Sequence, residues 1–145
     1  VQDPGNLGTI VRAADWMGVD TILASHDTAD IFSAKAIQAT MGAISRVRVH
    51  YCDLPAALRS LPQGLPVFGT FLNGENIYTT PGLDGGGVLV LGNEGRGISE
   101  DTAACVTRRI TIPSYPPGRP TSESLNVGVA AAIAMAQMRA ARFTR

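Results

Sequence analysis

Apolar residues recur along this chain in two rhythms, helical spacing and short unbroken runs, and the two alternate. Leu7, Ile10, Val11, Ala14 and Met17 fall at helical spacing, predicting a helix that Asn6 can cap and Gly18 can end. Thr21 to Ala24 reads as a short buried strand, Ala34 to Met41 as a helix, and Val47 to Tyr51 as a second strand. Leu54 to Leu61 is a short helix, with Pro55 tolerated in its first turn. Pro66 to Leu72 and Val88 to Leu91 are further apolar strands. Ser99 can cap a helix reaching about Val106, and Arg109 to Ile112 is the last strand. Glu123 to about Arg142 forms the longest helix, with Ser122 or Ser124 as its cap and Asn126 in its first turn.

Strands alternate with helices, and most strands are continuous apolar runs. That pattern predicts an α/β domain with a parallel sheet covered by helices on both faces. The 145 residues suit one domain, without internal repeat or low-complexity tract. Four of the nine prolines crowd Pro113 to Pro120, between a strand end and a helix start. Open α/β sheets place their ligands at such carboxyl ends.

Three segments concentrate polar residues among glycines at element ends. In Asp3-Pro4-Gly5-Asn6-Leu7-Gly8 through Arg12, a tight turn opens a helix, and an Arg beside a helix start can grip a phosphate. Alternatively Asn6 is a plain cap and Arg12 a solvated surface residue. In Leu91-Gly92-Asn93-Glu94-Gly95-Arg96-Gly97, a buried strand runs into three glycines that let a ligand approach the backbone. The segment is neither a P-loop nor GxGxxG, and an ordinary glycine turn is the competing reading. In the third segment, Ile112-Pro113 and the proline loop lead to Glu123-Ser124-Leu125-Asn126-Val127. There Ser124 and Asn126 sit at the start of a helix whose Ala-rich body reads as core.

Charge adds little. Twelve basic residues balance twelve acidic ones, so no global field advertises nucleic acid, although eleven of the twelve basic residues are Arg. Charged residues reach only 17%, a mild pointer to self-association. Arg46 and Arg48 flank Val47 and could share a strand face, as an anion contact or a solvated edge. Cys52 and Cys105 form no CxxC pair and read as reduced thiols of a cytoplasmic protein. His26 and His50 have no partners at metal or triad spacing, so no metal is expected. The uncharged run between Glu123 and Arg139, matched in length by none but the one between Arg59 and Glu75, is too short and polar to span a bilayer. The chain opens at Val1 rather than Met, which reads as a fragment of a longer one.

Taken in order, the three segments resemble the motifs of the SpoU/TrmH-type RNA ribose 2′-O-methyltransferases of the SPOUT superfamily, across nearly the whole chain. Lys35 to Ala43, with Met41-Gly42-Ala43, is similar to the family's segment after its second strand. The resemblance implies a C-terminal trefoil knot, a homodimer, and S-adenosylmethionine as methyl donor. It implies donor contacts from Thr70, Leu91, Gly92, Asn93, Gly97, Ile112 and Leu125, largely through backbone groups. Asn6, Arg12, Glu94, Ser124 and Asn126 match the family's polar catalytic positions. The implied partner is a structured tRNA or rRNA, not DNA or a membrane. The alternative is a non-catalytic RNA- or partner-binding module on the same domain. Three departures stand out: a longer loop between Ile112 and Ser124, Ser114 where Met is common, and Gly128 where Ser is frequent.

Overall fold

The structure is a computed structural model that describes residues 1–144. Ten elements follow in chain order: α1 (Pro4–Trp16), β1 (Thr21–Ala24), α2 (Ala34–Thr40), β2 (Arg48–Tyr51), α3 (Leu54–Arg59), β3 (Val67–Asn76), β4 (Val88–Val90), α4 (Glu100–Ala103), β5 (Arg108–Thr111) and α5 (Val127–Ala140). Every strand pairing is parallel, as the unbroken apolar runs predict. The expected single sheet is instead two: β1 pairs with β2, and β3 lies between β4 and β5.

The helix starts depart from the sequence reading by one local rule each. Asp3, not Asn6, caps α1: its carboxylate accepts the Asn6 amide at 2.9 Å, and Pro4 takes the first helical position. Pro is favoured there because its missing N–H is one of the unpaired donors anyway. Asn126, not Ser122 or Ser124, caps α5, its Oδ1 accepting the amides of Gly128 at 2.9 Å and Val129 at 3.1 Å. The helix therefore begins at Val127 rather than Glu123, and ends at Ala140. Ser99 caps its helix as expected, but that helix ends at Ala103.

α1 is the hub of the packing. Leu7, Ile10, Val11 and Ala14 form its buried stripe, joined in one cluster by Ala36 of α2 and by Ala131 and Met135 of α5. Gly8 makes the α1–α2 approach possible, since a Cβ there would stand 2.5 Å from the Ala36 carbonyl oxygen. Gly128 does the same where α5 meets α1, with Thr9 Cγ2 only 3.2 Å from a Cβ position. The Ser common at this place elsewhere would press on Thr9.

β3 is longer than its apolar run. Its first part pairs with β5 through Thr70↔Ile110, residues 71–74 bow out, and pairing resumes at Glu75↔Ile110. Gly74 lies so close to the Arg109 carbonyl that a Cβ would sit 2.8 Å from it. The Arg109 guanidinium covers the Phe71 ring at 3.6 Å, within cation–π range. Arg46 is not on a strand with Arg48; it forms a 2.9 Å ion pair with Asp15 at the end of α1.

Candidate active site

The loop after β4 and the starts of α1 and α5 meet at one place in the molecule. A continuous polar chain runs across them. Glu94, in the loop after β4, accepts the backbone amides of Gln2 at 3.0 Å and Asp3 at 3.2 Å. It also accepts the Asn6 side-chain amide at 3.3 Å. The other end of Asn6 accepts Asn126 Nδ2 at 2.9 Å, and Asn126 in turn holds the first amides of α5. Residues 88 and 120 positions apart in the chain are thus locked into one network.

Burial pushes the Glu94 carboxyl up, but hydrogen bonds outweigh it. Donated by the Gln2, Glu94 and Asp3 backbone amides and by the Asn6 side chain, they hold it at about 2. At neutral pH Glu94 is a fixed anion bonded to the two backbone amides just ahead of α1, at the end of the helix that favours negative charge. It therefore serves as a strut between loop and helix.

Arg12 and Ser124 stand apart from that network. Both are exposed, and among the described residues neither side chain makes a hydrogen bond or ion pair. Arg12 lies one turn beyond Thr9, the residue that packs on Gly128 at the start of α5. A free guanidinium and a free hydroxyl beside a rigid polar frame are suited to gripping an anionic oxygen such as a phosphate.

The residues expected around a donor fall into two groups. Leu91, Gly92, Asn93 and Gly97 line one pocket of about 230 Å³ together with Val1, Ser25 and Arg96. Their loop is pinched shut by paired bonds between Asn93 and Gly97, each 2.9 Å. Gly92 is required there, because a Cβ would meet the Gly97 carbonyl carbon at 2.4 Å, and Gly97 itself has φ +71. Asn93 Oδ1 accepts the amides of Gly95 and Arg96, while its Nδ2 is buried without a partner among the described residues.

Thr70, Ile112 and Leu125 line neither that pocket nor the adjoining cavity of about 440 Å³, which shares Val1, Ser25, Leu54 and Leu91 with it. Thr70 bonds the Val90 carbonyl at 3.4 Å across β3 and β4. Ile112 is half-buried just past β5, and Leu125 is 49% exposed. Sequence reasoning missed Gln2 and Asp3, whose backbone amides anchor Glu94. The Asp-Pro pair was the available signal, since it marks Asp3 as the cap and puts residues 2 and 3 at the helix mouth.

Comparison with known proteins gives a consistent result. The profile of the SpoU rRNA Methylase family matches residues 1–136. The 23S rRNA (guanosine(2553)-2′-O)-methyltransferase RlmP of Bacillus subtilis is 36% identical over 140 residues, covering 96% of this chain and 55% of that protein. A TrmH-family structure from Porphyromonas gingivalis superposes with a TM-score of 0.85 at 42% identity, covering 97% of this chain and 57% of that one. The AdoMet-bound rRNA methyltransferase from Sinorhizobium meliloti gives 0.83 at 30% identity, covering 97% and 53%. The chain spans about half the length of the curated relatives it matches.

Proposed function

Because the chain belongs to the SpoU rRNA Methylase family, we propose that it transfers a methyl group from S-adenosylmethionine to a ribose 2′-hydroxyl of a structured tRNA or rRNA. The observation that carries the reading is the Glu94–Asn6–Asn126 network with Arg12 and Ser124 left open beside it. The matching relatives include a named rRNA 2′-O-methyltransferase and an AdoMet-bound structure.

The residues present fit such a donor. The Leu91–Gly97 loop and Ile112 follow the carboxyl ends of the parallel strands β4 and β5, where α/β folds bind ligands, and Thr70 of β3 lies beside the end of β4 through its bond to Val90. Half-buried Ile112 and exposed Leu125 offer apolar surface, and Gly92 and Gly97 leave backbone groups within reach. The donor supplies an electrophilic methyl on a sulfonium.

The chain's own part is positioning and charge. The Arg12 guanidinium, a donor-only group, orients an RNA phosphate and stabilises the developing alkoxide rather than acting as a base. Ser124 adds a hydroxyl donor to the same phosphate. Glu94, held at about 2, is too weak a base to take the hydroxyl's proton, which leaves to water. Asn6 and Asn126 keep α1, and with it Arg12, in register with α5. In-line displacement gains much of its rate from such positioning.

The C-terminal trefoil knot, the homodimer and a cytoplasmic location belong to the same proposal. Exposed Trp16, Leu125 and Val129 are apolar surface that a second copy would cover. No helix among the described residues is long and apolar enough to cross a membrane.

The test is methyl incorporation into tRNA and rRNA, followed by nucleoside analysis. A 2′-O-methylated nucleoside is expected. Methylation on a base, or RNA binding without transfer, would refute the reading in favour of another chemistry or a binding module.

A further inference from the structure

Between β5 and α5 the chain runs from Ile112 to Asn126 without helix or strand. Both ends are fixed: Ile112 follows β5, and Asn126 is tied to Asn6 and to the first amides of α5. The stretch between them is not. Residues 113–126 are all exposed. Among the described residues, no side chain from 113 to 125 makes a hydrogen bond, ion pair or ring contact.

One piece of this stretch is nevertheless built. Pro116-Pro117-Gly118-Arg119 closes a β-turn, the Arg119 amide donating to the Pro116 carbonyl at 3.2 Å. Pro117 fills the second position and Gly118, at φ +80, the third, the residue choice of a type II turn. A Cβ at Gly118 would meet nothing within 4 Å, so the glycine serves the turn and not a close approach. Pro113, Pro116, Pro117 and Pro120 each fix φ, which narrows the alternatives open to a segment that little else restrains.

The turn decides what is displayed together. Its two ends lie within about 7 Å of each other, so Tyr115, beside one end, and Arg119, at the other, are neighbours. Tyr115 is 88% exposed, and Arg119 has no carboxylate partner among the described residues, although Glu123 stands four residues on. A bare aromatic ring and a bare guanidinium on a pre-set turn match a single RNA strand. The ring stacks on an unpaired base, and the guanidinium takes a phosphate. Five residues link Arg119 to Ser124, a reach of at most about 18 Å along the chain.

We propose that Tyr115 and Arg119 form a clamp for single-stranded RNA, gripping the strand a few nucleotides from the methylated ribose. The clamp rests on the methyltransferase reading and adds a substrate contact outside the Arg12–Ser124 centre. Its occupant is single-stranded because duplex RNA stacks its base faces inside the helix and offers Tyr115 none. Neither side chain touches the reacting atoms, so the clamp sets affinity for RNA and not the rate of the chemical step. The prolines lower the ordering cost of binding.

The experiment compares the full chain with Tyr115→Ala, Arg119→Ala and Arg119→Lys. Filter binding of rRNA fragments and bulk tRNA is measured across about 50 to 200 mM salt. Methyl-transfer kcat and KM on the same RNA, calorimetric affinity for S-adenosylhomocysteine and the urea midpoint are read alongside. Each Ala variant should weaken RNA binding and raise the RNA KM about 10-fold, with kcat, S-adenosylhomocysteine affinity and urea midpoint unchanged. Arg119→Ala should also lower the slope of log affinity against log salt by about 0.7 to 1, and Arg119→Lys should restore it. Tyr115→Ala should leave that slope alone. Wild-type RNA affinity and KM in both Ala variants would overturn the clamp and leave the methyltransferase reading standing, whereas a wild-type chain that binds no RNA would overturn both. Weaker S-adenosylhomocysteine binding at unchanged RNA affinity would make the turn part of the donor pocket, and a changed oligomeric state at unchanged RNA affinity would make it an interface between copies; either result overturns the proposal.

Discussion

Replacing Glu94 by Gln tests the polar network at its most charged point. The carboxylate accepts three donors at 3.0 to 3.3 Å, and its carboxyl is held at about 2 against an ordinary 4.5. Converted directly, that difference is a ceiling of about 3 kcal/mol of native-state stabilisation. Glu94 is exposed, so solvent screening lowers the expectation to about 1–2 kcal/mol. Gln keeps the length but presents an NH₂ to one of the donors, leaving at least one amide unpaired. Glu94→Gln should therefore unfold about 1–2 kcal/mol more easily in urea at pH 7. The contribution belongs to the ionised carboxyl, whose folded value is depressed. It is present above about 4.5 and is lost as pH falls from there through about 2. The gap between wild type and variant should accordingly shrink across that window. Asp15 and Asp27, also lowered by their hydrogen bonds to Arg46 and Ser25, titrate in both proteins and cancel in the difference. A gap that stays constant from pH 7 to the acid limit, or no gap at all, would refute the reasoning.

Arg12→Ala should leave the urea midpoint unchanged, because the side chain is exposed and unpaired, while methyl transfer drops about 100-fold or more; unchanged turnover would remove Arg12 from the mechanism. Asn126→Ala removes the cap of α5 and the bond to Asn6, and should cost about 1–2 kcal/mol in chemical denaturation. Gly92→Ala drives a methyl group onto the Gly97 backbone, and about 2 kcal/mol or more of destabilisation is expected in thermal melts. Gly8→Ala should be similarly harmful by prising α2 from α1, although the substitution favours helix in isolation.

Periodicity placed the strands and the long helices because each rests on its own local run. It failed where partners distant in the chain decide. The extension of β3 to Asn76 comes from renewed pairing with β5 after a bowed-out segment, which no local pattern announces. Arg46 leaves the expected strand because Asp15, 31 residues away, holds it. Ser122, Ser124 and Asn126 are all competent caps, and Asn126 is the one that also bonds Asn6 of α1, 120 residues away. The polar site was legible differently. The local reading left Asn6 as a possible cap, and it was resemblance to a known motif set that grouped it with Glu94 and Asn126. The structure joins those three by hydrogen bonds, while Arg12 and Ser124 remain solvent-facing. The division of the sheet escaped the sequence because edges and gaps are properties of the assembled layers.

The central claim is a donor site built from the loops that follow β4 and β5, with Thr70 of β3 beside them. Calorimetric titration of S-adenosylhomocysteine into the folded protein, with ATP and NAD as controls, tests it most directly. One site per chain, selective for the S-adenosyl compound, is predicted. A folded protein that ignores S-adenosylhomocysteine, or prefers ATP or NAD, would contradict the account.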